Sequence, residues 1–200
     1  MSPDRLAALL LELEQAWAAA GDPETVARLA PGLTREEILD AAFALPLTLH
    51  PDAVTWFSWH NGPRPGETSA PIGASWMQFM SMTRAVAWYY HRADQAAGVA
   101  MDEGISKLEA GWDPQWFPVA TAIDGTTIAI DCSADADSPA PIRSIYGLDH
   151  DKDQIDFASL AELVQAWIDL YAAGVYTFVD GTWHTDDDRM PDAMSRASTA

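Results

Sequence analysis

The first apolar stripe of the chain has helical spacing and lies within the first twenty residues. Ser2 followed by Pro3 is a favourable helix start, and Gly21 with Pro23 interrupts the pattern. The members of the stripe recur every three or four positions: Leu6, Leu9, Leu10, Leu13 and Trp17. This spacing predicts an amphipathic helix with one side facing the core.

Capping signals predict further helices. Thr34 with Glu37 is a capping box that opens a helix ended by Pro46, and a short helix is expected after Pro23. The segment 51–60 is predicted to be a helix capped at Asn61-Gly62. Two longer helices are predicted over residues 83–98 and from Ser159 to Gly174, where Glu162 completes a second capping box.

The period changes to that of strands in the second half of the chain. Residues 63–75 are rich in Pro, Gly and Ser and predict an exposed loop. Strands are predicted at 76–80, 115–121, 126–132, 141–146 and 175–179. Helices followed by a meander and a last helix, without strict βαβ alternation, predict an α+β fold with an antiparallel sheet.

Charge and aromatic content narrow the function classes. Thirty acidic against eleven basic side chains give a formal charge of -19, which disfavours nucleic acid and anionic membranes and favours basic proteins or cations as partners. Nine tryptophans spread along the chain exclude disorder as the main state. We expect one domain over residues 1–180 and an acidic, flexible tail over 181–200.

The cysteine count and the hydropathy of the chain indicate in which cellular compartment the protein is expected. Cys132 is the only cysteine, so the chain has neither an internal disulfide nor a multi-cysteine zinc site. The apolar stretch 6–13 contains Glu12 and lacks a basic leader, and no apolar run is long enough to cross a bilayer. A cytoplasmic location is the simplest expectation.

An acidic segment at residues 149–156 has the alternating carboxylates of a calcium loop. Gln154 replaces the glycine required at position six of such a loop, and Leu160 replaces the glutamate at position twelve. A solvated acidic loop is therefore expected here, and no metal is predicted.

Catalytic patterns are missing from the sequence. The five histidines lack metal-binding spacing, and His60 is interpreted as a cap or packed side chain because no orienting partner can be named. There is no nucleophile elbow and no glycine-rich phosphate loop. We therefore expect no catalytic residues and no cofactor.

Several short motifs resemble a known family in their order and spacing. They are Leu45-Pro46, His60-Asn61-Gly62, Trp116-Phe117-Pro118-Val119-Ala120, Asp124-Gly125, Ile128-Ala129-Ile130-Asp131, Tyr146-Gly147 and the helix entry at 157–163. This pattern, over roughly residues 34–175, resembles the SUKH superfamily in the branch of the fungal cell-wall assembly regulator. The N-terminal helix and the tail lie outside the match.

The resemblance implies a curved antiparallel sheet of about four to six strands flanked by helices. It also implies an immunity-type protein that binds and neutralises a toxin, such as a nuclease. Two alternatives stay open: a regulatory scaffold domain without a toxin partner, and an enzyme with an unrecognised site. The oligomeric state is not indicated by the sequence.

Acidic loops and exposed aromatics are the expected contacts with a basic partner. The acids would steer the encounter, and the aromatics would hold the complex. The candidate residues are Asp131, Asp135, Asp137, Asp149, Asp151, Asp153, Asp156, Trp112 and Trp183, with one of Trp56 or Trp59 as a further exposed aromatic.

Overall fold

A computed structural model describes residues 3–67, 71–72, 74–122, 125–145, 155–186 and 188–190. Its helices are α1 (Pro3–Ala19), α2 (Thr25–Arg28), α3 (Arg35–Ala42), α4 (Pro51–Trp59), α5 (Met82–Glu103) and α6 (Leu160–Ala172). Its strands are β1 (Leu29–Pro31), β2 (His60–Pro63), β3 (Pro71–Ile72), β4 (Ala74–Phe79), β5 (Trp116–Ala122), β6 (Thr127–Asp131), β7 (Ile142–Ile145), β8 (Tyr176–Val179) and β9 (Thr182–Thr185).

The main sheet is an antiparallel meander. It has five strands in the order β3-β4-β5-β6-β7, so each strand pairs with its neighbour in sequence. Two small antiparallel pairs, β1-β2 and β8-β9, accompany it. This arrangement confirms the α+β class predicted from the change of period.

Helices pack on the sheet around an aromatic core. α5 lies along β5, and α1 packs against α4 and α6. The buried Trp56 ring lies 5.1 Å from Phe79, 5.6 Å from Trp59 and 6.3 Å from Trp167, measured between ring centroids. The core therefore joins α4, β4 and α6 through one group of tilted and edge-on rings.

The helix starts follow the capping signals. The Thr34 hydroxyl accepts from the Glu37 N–H at 3.2 Å, and the Glu37 carboxylate accepts from the Thr34 N–H at 2.8 Å. Because the Thr34 N–H and the Thr34 hydroxyl both donate to the Glu37 carboxylate, the pKa of Glu37 lies below its ordinary value. At the start of α6 the Ser159 hydroxyl accepts from the Glu162 N–H at 3.1 Å, while the Glu162 carboxylate accepts from the Ala158 N–H at 2.9 Å. The capping box at Thr34 is confirmed, and at Ser159 the N-cap is confirmed while the reciprocal bond goes to the preceding residue.

The end of α4 differs from the prediction. The helix ends at Trp59, and the expected Asn61-Gly62 cap lies instead in β2, which pairs with β1. Gly62 has φ +74°, and an added Cβ would lie 2.5 Å from the Ser81 backbone nitrogen. The glycine therefore permits β2 to pass close to the start of α5.

Strands also replace parts of the predicted loop and tail. β3 and β4 begin inside the 63–75 loop, while residues 68–70 and 73 are outside the described part of the chain. β9 lies within the predicted 181–200 tail and pairs with β8 across Asp180-Gly181, both of which have positive φ. The tail from residue 191 onward is likewise outside the described residues. In the described part of the chain no helix combines the length and apolar character needed to span a bilayer.

Candidate protein-binding surface

The connection between β6 and β7 is an acidic surface loop. We call residues 133–139 the acidic loop. Asp135 and Asp137 are both exposed in it, and a turn closed by the Ser138 N–H and the Asp135 carbonyl at 2.8 Å lies between them. Two of the predicted partner contacts therefore lie next to each other on the surface.

A buried histidine holds the acidic loop in place. His50, at the N-cap of α4, approaches the Ser138 carbonyl at 3.0 Å and the Asp135 carbonyl at 3.3 Å through Nε2. Its Nδ1 accepts from the Asp52 N–H at 3.2 Å. The imidazole therefore joins the start of α4 to the backbone of the acidic loop, with Nε2 directed at the two carbonyls.

The lone cysteine lies inside the same junction. The Cys132 N–H donates to the Gln115 carbonyl at 2.8 Å, and the side chain is buried. Burial raises the pKa of the thiol to about 11. Since the thiolate is the nucleophilic form, this cysteine has the environment of a structural residue.

Asp131 is used internally, which corrects its assignment as a surface contact. Its Oδ2 lies 3.1 Å from Arg143 Nη2, and its Oδ1 accepts from the Ser133 hydroxyl at 2.6 Å. The Arg143 guanidinium lies 4.9 Å from the centre of the Trp116 ring. Asp131 is buried because it closes the end of β6 onto β7, and it therefore fixes the base of the acidic loop.

The second acidic segment reaches the same edge of the sheet. Asp156 is half-buried, and its Oδ2 accepts from the Ser144 N–H at 2.6 Å, while Phe157 bridges to Ile142 at the start of β7. Asp156 thus provides a hydrogen-bond acceptor for a backbone N–H of β7. Asp149, Asp151 and Asp153 lie outside the described residues.

Trp112 is not an exposed contact, so that expectation is wrong. Its side chain is 0% exposed and packs edge-on against Tyr89 and Trp116. The reason is local: Gly111, with φ +87°, follows a turn and directs the chain inward. The Arg92 guanidinium lies 5.8 Å from the ring centre, and burial lowers the pKa of Arg92.

Trp183 and the α4 tryptophans are also largely internal. Trp183 is half-buried and packs at 5.4 Å from Tyr171 and 5.3 Å from Phe178, measured between ring centroids. Trp56 is buried, and Trp59 is half-buried. The Trp183 ring packs between α6 and the β8-β9 hairpin. Much of the apolar surface that it was expected to present to a partner is therefore covered.

His60 joins three elements of the fold. Its Nε2 lies 3.0 Å from Glu14 Oε1 and its Nδ1 lies 3.1 Å from the Ala30 carbonyl. The Trp59 Nε1–H donates to the same Glu14 oxygen at 2.5 Å. The packed role predicted for His60 is therefore observed, with α1, β1 and the end of α4 as its neighbours.

A groove between α1 and α4 lies near these residues. It is open, has a volume of about 320 Å³ and is lined by Ala7, Leu10, Leu11, Val54, Thr55, Ser58 and Trp59. These lining side chains offer no acid or base for proton transfer. In the described part of the chain no three His, Cys, Asp or Glu residues are grouped so that they could hold a metal ion.

Comparison with known proteins gives no assignment. No protein-family model matches the chain, and no curated protein matches it.

Proposed function

We propose that this chain is a non-catalytic domain that binds and neutralises a basic protein, for example a nuclease toxin, in the cytoplasm. The single observation that supports this most strongly is the excess of acidic side chains at its surface. The formal charge is -19, and the two acids of the acidic loop, Asp135 and Asp137, are exposed. A surface of this kind attracts a basic partner over distances of about a Debye length.

The basic side chains are few, and several of them are paired with carboxylates or buried. Arg28, Arg143 and Arg189 form ion pairs with Asp22, Asp131 and Asp186 respectively, and Arg92 is buried. In the described part of the chain the exposed basic side chains are Arg5, Arg35, Arg64, Arg84, Lys107 and Arg189. These few cations are spread over several elements, so the acidic field is not cancelled locally.

The acidic loop is also held rigidly. His50 binds two of its carbonyls, and Asp131 binds Ser133 at its base. A loop that is already ordered loses little conformational entropy on binding. The exposed carboxylates can therefore meet a partner without prior rearrangement of the loop.

A growth experiment tests the proposal. The product of the adjacent gene is produced in bacterial cells from an inducible promoter, with and without this chain. We expect the adjacent product to stop growth and this chain to restore it, with the two proteins purifying as one complex. Growth arrest that this chain leaves unchanged, or an adjacent product that is harmless and forms no complex, would contradict neutralisation and favour a scaffold role.

A further inference from the structure

Three exposed apolar side chains lie close to the C-terminal end of α3. Phe43 is 90% exposed, Leu39 is 44% exposed and Tyr90 on α5 is 39% exposed. Leu39 and Phe43 are four residues apart, so they lie on one side of the helix. We call Leu39, Phe43 and Tyr90 the α3 patch.

The α3 patch is held in place by the backbone beneath it. The Tyr90 hydroxyl donates to the Ala44 carbonyl at 2.7 Å, which ties α5 to the residue after Phe43. The Phe43 N–H donates to the Asp40 carbonyl at 3.2 Å, and the Leu45 N–H donates to the Ala42 carbonyl at 2.9 Å. Exposure of Phe43 is therefore a property of an ordered helix end.

A neighbouring face of α3, about 100° around the helix from Leu39 and Phe43, accounts for its attachment to the fold. Ile38 and Ala42 are buried, and Leu45 follows them into the core. These residues supply the apolar contact that α3 needs with its neighbours α4 and α5. Leu39 and Phe43 are not needed for that contact, since they lie on the side that faces solvent.

Carboxylates border the α3 patch. Glu36 and Asp40 are exposed on α3, and helical spacing places them on the solvent side of Leu39 and Phe43. Asp94 is exposed one turn beyond Tyr90 on α5. Arg35 and His91 are the neighbouring basic or titratable side chains, and Glu37 is engaged with Thr34 in the capping box. The three carboxylates outnumber the one arginine, so the border of the α3 patch carries a net negative charge.

We propose that the α3 patch is a docking site for a positively charged segment of the partner that presents an apolar side chain between Lys or Arg residues. The apolar side chain would pack on Phe43, and the cations would meet Glu36, Asp40 and Asp94. An aromatic anchor dominates binding energy when it is desolvated, whereas bordering charges select the partner and speed the encounter. This inference deepens the proposed function, since it locates the contact with the basic partner away from Trp112 and Trp183.

Peptide selection tests the docking site without knowledge of the partner. The full-length chain is used to select from a random peptide library displayed on phage, and the enriched peptides are synthesised. We expect peptides that combine Lys or Arg with aliphatic or aromatic residues, and we expect Phe43→Ala to weaken their binding about tenfold or more. Met101→Ala is the matched control, because Met101 is 81% exposed near the end of α5.

The binding of the selected peptides to the variants decides whether the docking site is supported or overturned. Enriched basic peptides whose affinity falls with Phe43→Ala and with the pair Glu36→Gln and Asp40→Asn, but not with Met101→Ala, support the docking site. Absence of basic peptides, or equal binding by the Phe43→Ala variant, overturns it. Thermal unfolding checks that Phe43→Ala keeps the wild-type fold, which is expected because the side chain is exposed.

The growth experiment separates this inference from the proposed function. If the Phe43→Ala variant restores growth as well as the wild-type chain, neutralisation stands and the docking site fails. If the adjacent product is not neutralised but selected peptides require Phe43, the docking site stands and neutralisation fails.

Discussion

At the scale of single residues, Cys132 illustrates how burial changes chemistry. Because burial raises the pKa of the thiol to about 11, the folded protein favours the neutral form. This contribution to stability is fully present below the ordinary pKa of a thiol and is lost as pH rises through the folded value. The thiolate fraction at about pH 8 should be on the order of one in a thousand.

The reactivity of Cys132 with a chromogenic disulfide reagent checks this prediction. At about pH 8 the native chain should react at least roughly a hundredfold more slowly than the chain in concentrated guanidinium chloride. The signal is unambiguous because the chain has one cysteine. Release of one equivalent of chromophore from the native protein within the mixing time would show that the thiol is accessible and contradict the described burial.

Residue types alone did not reveal which aromatics are exposed. Trp112 follows a glycine and precedes Asp113-Pro114, a setting typical of a surface turn, yet the turn directs its ring between Tyr89 and Trp116. Phe43 lies in a predicted helix and has no sequence signal for exposure, yet its side chain is 90% exposed. Exposure depends on which side of an element its neighbours cover, and only tertiary packing fixes that.

At the scale of elements, two glycines with positive φ provide a matched pair. Gly62 has φ +74° and would place a Cβ against backbone atoms of Met80 and Ser81, whereas Gly66 has φ +88° and open space around the Cβ position. Gly66→Ala should cost about 1–2 kcal/mol, the usual penalty for a left-handed conformation.

Gly62→Ala should cost more, because overpacking adds about 1–3 kcal/mol to the same backbone penalty. The free energy of unfolding from urea titration measures both variants. Equal losses for the two glycines would mean that β2 does not approach the start of α5 as closely as described.

Much of the element order could be predicted from sequence, and the misses have physical causes. The N-cap signals at Thr34 and Ser159 are local, so they were sufficient to predict the starts of α3 and α6. β1 is three residues long and gains its partner only through tertiary pairing with β2, so it has no readable period. The Asp180-Gly181 pair between β8 and β9 is a sequence signal for a hairpin. The acidic residues that follow it favour a flexible tail, and this second signal conceals β9.

At the scale of the whole molecule, charge decides how the candidate surface acts. A net charge of -19 accelerates encounter with a basic partner and repels other anions, and salt screens both effects. Trp56 and Trp112 are buried and Trp183 is half-buried, so we expect recognition of a partner to depend on exposed carboxylates and on the α3 patch. We therefore expect association with the partner to be fast and sensitive to salt, and we expect Phe43 to set the dissociation rate of the complex.

The most direct test of the central claim is the association rate between this chain and the product of the adjacent gene, measured by stopped-flow fluorescence at rising salt. We expect the rate to fall about tenfold or more between low and high salt. The pair Asp135→Asn and Asp137→Asn should slow association more than Asp102→Asn with Glu103→Gln, which removes equal charge from the exposed end of α5. A rate that is independent of salt and of the acidic loop, or absence of a complex, would contradict the claim that this chain is an acidic binder of a basic protein.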